Sequence, residues 1–130
     1  MNQIFTRRHG ALAVFVALVS TSALAAKPDK SAEKKLIAKV FTDGTIFGFA
    51  KTCGVAEPEL KQFYENTFAS SRAIGVAKAP QYTQAHFRRD FQNGMNTAER
   101  FSASAAPASK AYKQNCQDVR QKVAAVIKGQ

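Results

Sequence analysis

The sequence predicts an all-α fold, a small up-down-up-down four-helix bundle with one disulfide. Three observations favour this class. Apolar residues recur at helical spacing in four stretches, and prolines and glycines divide the chain into segments of about 20 to 25 residues. No stretch shows the sustained polar and apolar alternation of a half-buried strand. Connections of only a few residues imply that neighbouring helices run antiparallel.

The N-terminal segment, residues 1–25, is predicted to be a signal peptide that is removed. Two arginines precede an apolar run of ten residues, GALAVFVALV, and Ala23 and Ala25 form an A-x-A site that places cleavage after Ala25. The alternative is a membrane anchor. The run is short for that role, because a spanning helix needs about 20 residues.

The same N-terminal segment indicates the export route, and its removal changes the net charge of the protein. Arg7 and Arg8 are followed by Gly10 and Ala11 rather than by large apolar residues, so a Sec-type signal is favoured over a twin-arginine signal. We therefore expect a periplasmic or secreted protein with a single helical domain, residues 26–130. Loss of the two arginines lowers the net charge from +10 to +8. Such a surplus favours acidic partners.

The first helix is predicted over residues 31–53, with Asp29 or Ser31 as its N-cap and Gly54 as a left-handed residue after its end. Its second half is apolar on two sides. One side carries Ile37, Val40, Phe41, Gly44, Phe47 and Gly48, and the other carries Ile46, Phe49, Ala50 and Cys53. A helix with two apolar sides is enclosed on both, so we expect this half to be the most buried backbone of the protein.

Gly44 and Gly48 lie in the middle of this helix, where each glycine costs roughly 1 kcal/mol. We interpret them as small surfaces that let a neighbouring helix approach closely. The alternative is a ligand-cradling glycine loop. The stretch has no G-x-G-x-x-G pattern and no following lysine with serine or threonine to hold a phosphate.

Prolines and glycines delimit the other three helices. The second is predicted to begin at Pro58 and fade near Gly75, the third to begin at Pro80, and the fourth to begin at Pro107 and end at Gly129. Each carries one face of mostly apolar residues at helical spacing, which we term its stripe. The stripes are Leu60, Phe63, Tyr64, Thr67, Phe68, Ser71 and Ile74; then Phe87, Phe91, Met95, Ala98 and Phe101; then Tyr112, Cys116, Val119, Val123, Val126 and Ile127.

Cys53 and Cys116 are the only cysteines, and in an exported chain a lone pair predicts a disulfide. A bundle with flush ends would misalign them. Alignment is restored if the third and fourth helices project past the first, or if the fourth begins after the small-residue corner at 102–109. The bridge closes a loop of more than 60 residues, which the chain-entropy estimate equates with about 4 kcal/mol.

The sequence contains few side chains that could act in catalysis or bind a metal ion. His86 is the only histidine of residues 26–130, and Asp90, four residues later, is in position to pair with it on a helix. There is no C-x-x-C motif, so we expect neither a metal site nor a cofactor. Hydrolysis needs a nucleophile, a base and an orienting group that converge, and the acids here are scattered. An enzyme is the third hypothesis.

A polar face of the third helix is the predicted binding site. Five residues fall within about 60° of one another on a helical wheel: Tyr82, His86, Arg89, Asn93 and Arg100. Their types are enriched at recognition surfaces. On this hypothesis the arginines bind acidic groups of the partner, and the titration of His86 makes the affinity change at about pH 6. The alternative is an ordinary solvated helix face.

The functional hypothesis is protein binding, in the form of an immunity or inhibitor protein against a secreted toxin. Such a protein needs export, stability and one surface, and no catalytic groups. The second hypothesis is an envelope protein or chaperone that binds anionic polymers or membrane surfaces through its positive charge. The sequence does not determine the oligomeric state, and a homodimer is one of the alternatives. No signature of an RNA-binding sheet or basic zipper occurs, so specific nucleic-acid binding is not expected.

Overall fold

The computed structural model describes residues 27–129, which form four α-helices. They are α1 (Lys30–Thr52), α2 (Glu57–Lys78), α3 (Gln84–Ala103) and α4 (Lys110–Ile127), and no strand occurs within the described range. The predicted all-α fold, a four-helix bundle with one disulfide, is confirmed. The predicted signal peptide and its cleavage after Ala25 lie outside the described residues.

The ends of α1 follow from local sequence. The side chain of Asp29 accepts a hydrogen bond from the N–H of Ser31 at 2.8 Å, so Asp29 is the N-cap. At the other end, Gly54 has a positive φ of 72°, and the N–H of Val55 donates to the carbonyl of Ala50 at 3.0 Å. This is a Schellman motif, which satisfies carbonyls that the last turn leaves free.

The connection between α2 and α3 differs from the prediction. The helix α2 continues through Gly75 to Lys78, and Pro80 does not open α3. The N–H of Tyr82 instead donates to the carbonyl of Ala79 at 2.8 Å, so Pro80 is the second residue of a β-turn. Proline suits that position as well as it suits a helix start, because both require the same φ. The helix α3 begins only after the turn.

Pro107 repeats this arrangement before α4. The N–H of Ser109 donates to the carbonyl of Ala106 at 3.0 Å, and the side chain of Ser109 then caps α4 by accepting from the N–H of Tyr112 at 3.1 Å. The fourth helix therefore begins after the small-residue corner, at Lys110, which is one of the two arrangements that the disulfide required.

The disulfide joins Cys53, the C-cap of α1, to Cys116 in the second turn of α4, with 5.4 Å between their Cα atoms. Two hydrogen bonds act beside it. The hydroxyl of Tyr112 donates to the carbonyl of Thr52 at 3.2 Å, and Nη2 of Arg120 donates to the carbonyl of Cys53 at 2.6 Å. These donors satisfy carbonyls at the negative end of α1, so the α1–α4 junction is both covalent and electrostatic.

The helix α1 is central, with α3 on one side and both α2 and α4 packed against it as well. The helices α1 and α3 run parallel, because later residues of α1 contact later residues of α3. Gly44 lies against Phe91, and Thr52 lies against Ser102. The ring of Phe47 packs against Phe63. Since Leu36, earlier in α1, lies near Gly75, later in α2, these two helices are antiparallel.

A glycine seam brings α1 and α3 into backbone contact. It consists of Gly44, Gly48 and Gly94. A Cβ on Gly44 would overlap the carbonyl of Phe91, one on Gly48 would lie 2.7 Å from Cβ of Ala98, and one on Gly94 would lie 2.7 Å from the backbone nitrogen of Thr45. The predicted role of Gly44 and Gly48 in close helix approach is confirmed, and Gly94 supplies the matching surface on α3.

Aromatic side chains form the core where α1, α2 and α3 meet. The cluster contains Phe47, Phe63, Tyr64, Phe68, Phe87 and Phe91, with ring centroids 4.9 to 6.4 Å apart. Edge-to-face pairs such as Phe68 with Phe87 add to the area that they bury. One predicted member of the α3 stripe is wrong, because Phe101 is 66% exposed. At this level the contact with α1 is made by the next residue, Ser102, whose hydroxyl oxygen lies 3.3 Å from that of Thr52, so Phe101 lies beside the seam and not in it.

Candidate binding surface on the third helix

The structure separates the five predicted binding residues into two groups. Arg89, Asn93 and Arg100 are exposed on α3 and form what we term the α3 outer face. His86 is half-buried in the first turn of α3, and Tyr82 is buried in the segment that precedes it. Only the first group is in position to meet a large partner directly.

Tyr82 was predicted on the exposed face of α3, and this is wrong. Its side chain is 9% exposed, because the turn at Pro80 directs it back into the bundle. Its hydroxyl donates a hydrogen bond to Oδ2 of Asp90 at 3.0 Å. Burial raises the pKa of Tyr82, and the hydrogen bond and charge of Asp90 raise it further.

Asp90 is the polar centre of this region and is only 5% exposed. While Oδ2 accepts from Tyr82, Oδ1 accepts from Nε of Arg89 at 2.8 Å. The predicted pair between His86 and Asp90 is therefore not present; Tyr82 and Arg89 take the two oxygens. A buried carboxylate is tolerated where hydrogen bonds of this kind replace water.

His86 is part of the α3 N-terminal cap. The N–H of Thr83 donates to Nδ1 of His86 at 3.0 Å, and the hydroxyl of Thr83 accepts from the N–H of His86 at 3.5 Å. This is a capping box with histidine where glutamate or glutamine usually stands. The ring also stacks on Tyr82, with centroids 5.6 Å apart. Its Nδ1 is therefore committed to the fold.

The two arginines of the α3 outer face share one geometry. Nε of Arg89 is bound to Asp90, and Nε of Arg100 donates to the carbonyl of Asn96 at 3.2 Å. Within residues 27–129, neither pair of terminal guanidinium nitrogens has a hydrogen-bond acceptor. The side chain of Arg89 is 56% exposed, so its terminal nitrogens are accessible. Hydrogen bonding to Asp90 also raises the pKa of Arg89, which keeps it charged.

Phe101 extends the same surface, and sequence reasoning missed it. It is highly exposed and lies next to Arg100, and both border a shallow depression of about 410 Å³ that Thr97 and Ser104 complete. The periodicity assigned Phe101 to the core stripe. The sequence does not distinguish Phe101 from Ser102 as the residue that faces α1, since both follow Ala98 at helical spacing.

The described residues offer no assembled metal centre. Between residues 27 and 129, no three side chains of the histidine, cysteine, aspartate or glutamate type come together as ligands. His86, the one histidine of residues 27–129, is held by Thr83. The most buried carboxylate of α3 is held by Tyr82 and Arg89. These polar groups of α3 thus serve to cap the helix and to hold its buried carboxylate.

Comparison of the chain with protein-family models, with curated proteins and with solved structures finds no match. Among the helices of the described residues, none is both long enough and apolar enough to cross a membrane.

Proposed function

We propose that this protein is an exported helical binding protein that recognises an acidic protein surface through the α3 outer face and Phe101. The supporting observation is that both arginines on this face are fixed at Nε while their terminal nitrogens remain without acceptors in the described residues. Each guanidinium thus presents a fork that suits a carboxylate.

Fixing a side chain before binding lowers the entropy lost on binding. Arg89 is held by a buried carboxylate, which Tyr82 in turn holds, so its orientation is coupled to the core. Arg100 lies eleven positions further along α3, about 16 Å away at the helical rise of 1.5 Å per residue. Two forks at this spacing match two acidic groups on one partner, and Phe101 adds an exposed aromatic anchor.

An immunity or inhibitor protein against a secreted toxin is the form of binding protein that we favour. It needs one surface and a stable fold outside the cytoplasm. The disulfide between Cys53 and Cys116 is suited to an oxidising compartment, and the N-terminal sequence pattern supports export to it.

The second candidate function is binding to anionic polymers or membrane surfaces, alone or as an envelope chaperone. It is favoured by the net charge and by exposed lysines outside α3, such as Lys34 and Lys35 on α1. In that case the charge acts diffusely, and affinity falls steeply with salt. A packed protein interface loses much less affinity with salt.

The test compares two double variants of equal charge change. Arg89→Gln with Arg100→Gln removes both guanidiniums, and glutamine at 89 is still able to donate to Asp90. A charge reversal at 89 is avoided, because it would place a second carboxylate beside the buried one. The control, Lys34→Gln with Lys35→Gln, leaves α3 unchanged. Circular dichroism verifies that both variants fold.

Purified protein is immobilised, the envelope fraction of the native cell is passed over it, and the retained proteins are identified and their dissociation constants measured. We expect the arginine double variant to bind an acidic partner at least 100-fold more weakly and the lysine control to bind within threefold of the original. Equal losses in both would support the polymer-binding function instead. Unchanged binding by the arginine variant would exclude the α3 outer face.

A further inference from the structure

A groove separate from the α3 outer face lies between the second half of α2 and the start of α3. Its volume is about 500 Å³, within the range of small-molecule sites. Residues that border it include Phe68, Ser71, Arg72, Val76, Tyr82 and Phe87. The turn at Pro80 closes one end, so the groove is a product of the same connection that the sequence did not predict.

One wall of the groove is apolar. The rings of Phe68 and Phe87 meet edge to face with centroids 4.9 Å apart. Val76 stands at the margin and is 73% exposed, the most exposed of the large apolar residues in the described range. A ligand that covered this wall and Val76 would remove apolar surface from water, which favours an aliphatic or aromatic body.

Ser71 supplies an unsatisfied polar group on the floor. The residue is 1% exposed, and its hydroxyl has no hydrogen-bond partner among residues 27–129. A buried hydroxyl without a partner is uncommon and unfavourable, and such groups call for an explanation. A ligand acceptor that reached Ser71 from the groove would provide one.

Two sources of positive charge border the same groove. Arg72 borders the groove, is exposed, and makes no ion pair within the described range. The N-terminus of α3 also faces the groove through Thr83 and Gln84. Its first turn contains no acidic residue, and the N–H of Gln84, the first helical residue, has no acceptor within the helix. Helix N-termini with free N–H groups favour anions.

We propose that this groove binds a small amphipathic carboxylate, such as an aliphatic monocarboxylic acid. Its carboxylate accepts hydrogen bonds from Arg72, the hydroxyl of Ser71 and the start of α3, and its chain covers Phe68, Phe87 and Val76. The site is independent of the proposed protein-binding function, because it uses no residue of the α3 outer face.

The test measures binding of octanoate to the purified protein by titration calorimetry, with octanol and octylamine as probes of the same chain length. We expect saturable binding of octanoate at one site and at least tenfold weaker binding of the other two. Hexanoate should bind more weakly by about three- to fourfold for each methylene removed, since burial of a methylene contributes about that factor. Amide chemical shifts should change most at Ser71 and Phe87.

Two variants and one control locate the site. Arg72→Gln should weaken octanoate binding at least tenfold and Ser71→Ala about fivefold, while Arg88→Gln, which removes an exposed arginine of α3 outside the groove, should have no effect. Octanol binding as tightly as octanoate, equal losses in Arg88→Gln and Arg72→Gln, or no saturable binding would each overturn the proposal. Ser71→Ala keeps the groove open, so its result does not depend on refolding.

Discussion

The hydroxyl of Tyr82 donates to the carboxylate of Asp90 across 3.0 Å, and both side chains are buried. This bond links the α2–α3 connection to the first half of α3 and leaves the second oxygen of Asp90 for Arg89. Tyr82, which was predicted on the exposed face of α3, thus lies inside the bundle and holds the carboxylate to which Arg89 is bound.

Tyr82→Phe removes the donor and leaves Asp90 with one bond. We expect a loss of about 1 to 3 kcal/mol in the free energy of unfolding at neutral pH, because an acceptor is left buried without a partner. Urea denaturation measures it. Tyr112→Phe is the control, since its hydroxyl bonds a carbonyl in an exposed position where water replaces it. Equal losses in the two variants would contradict the special role of the buried bond.

The same tyrosine predicts behaviour in alkali. Its pKa is raised in the folded protein above the ordinary value of 10.0, chiefly by burial. As the pH rises through that ordinary value, the unfolded chain releases this proton while the folded chain keeps it, so the contribution to stability is full below pH 10.0 and declines above it. In Tyr82→Phe, the free energy of unfolding should therefore decline less steeply with pH in this range. Identical slopes above pH 10.0 in both proteins would count against it.

Alanine substitutions of glycine should have opposite effects in two helices. Gly94→Ala introduces a Cβ that overlaps the backbone of α1, so we expect a loss of about 1 to 3 kcal/mol in spite of the better helix propensity of alanine. Gly75→Ala adds a Cβ no closer than 3.5 Å to any neighbour, an ordinary contact, and should stabilise by about 0.5 to 1 kcal/mol. Thermal unfolding of both variants checks this. A neutral Gly94→Ala would mean that α1 and α3 separate easily.

His86 should behave as a capping residue. His86→Ala removes the acceptor for the N–H of Thr83 and should cost about 1 kcal/mol, whereas His86→Gln restores the usual capping-box partner and should keep most of the stability. Denaturation of the two variants separates this role from recognition, because the cap is needed with or without a partner. If glutamine were as harmful as alanine, the ring itself, stacked on Tyr82, would be what matters.

The disulfide should account for much of the stability of so small a domain. Its cysteines are 63 positions apart, and a loop of this length corresponds to about 4 kcal/mol in the chain-entropy estimate. Cys53→Ser with Cys116→Ser should therefore melt far below the original protein. Reductant should lower the melting temperature of the original protein and leave the double variant unchanged. A reductant effect of equal size on both would show that the bridge is not its cause.

The sequence predicted α1 best, because every signal for it is local. The carboxylate of Asp29 caps the start, Gly54 supplies the left-handed residue at the end, and Gly44 and Gly48 mark the face that α3 approaches. The prolines at 80 and 107 were misassigned, since one residue type serves both a helix start and the second position of a turn. Local sequence does not distinguish these two uses.

The candidate site was predicted in part for a related reason. A helical wheel assigned Arg89, Asn93 and Arg100 to one exposed face, and the structure agrees. It failed for Tyr82, because a wheel has no meaning before the helix begins. The groove beside α2 was not predicted at all, since it depends on the path of the connection rather than on any periodic pattern.

Because α3 is attached to α1 along the glycine seam, its opposite face should tolerate many substitutions. The attachment of α3 to α1 is made by main-chain atoms at Gly44 and Gly94, by small side chains such as Ala98 and by the aromatic pair of Phe47 and Phe91. The arginines and the asparagine of the α3 outer face are exposed instead. We therefore expect positions 93 and 100 to accept most residue types without loss of folding. Libraries randomised there should yield mostly folded members, so the outer surface of α3 can be changed at these two positions while the interior stays the same.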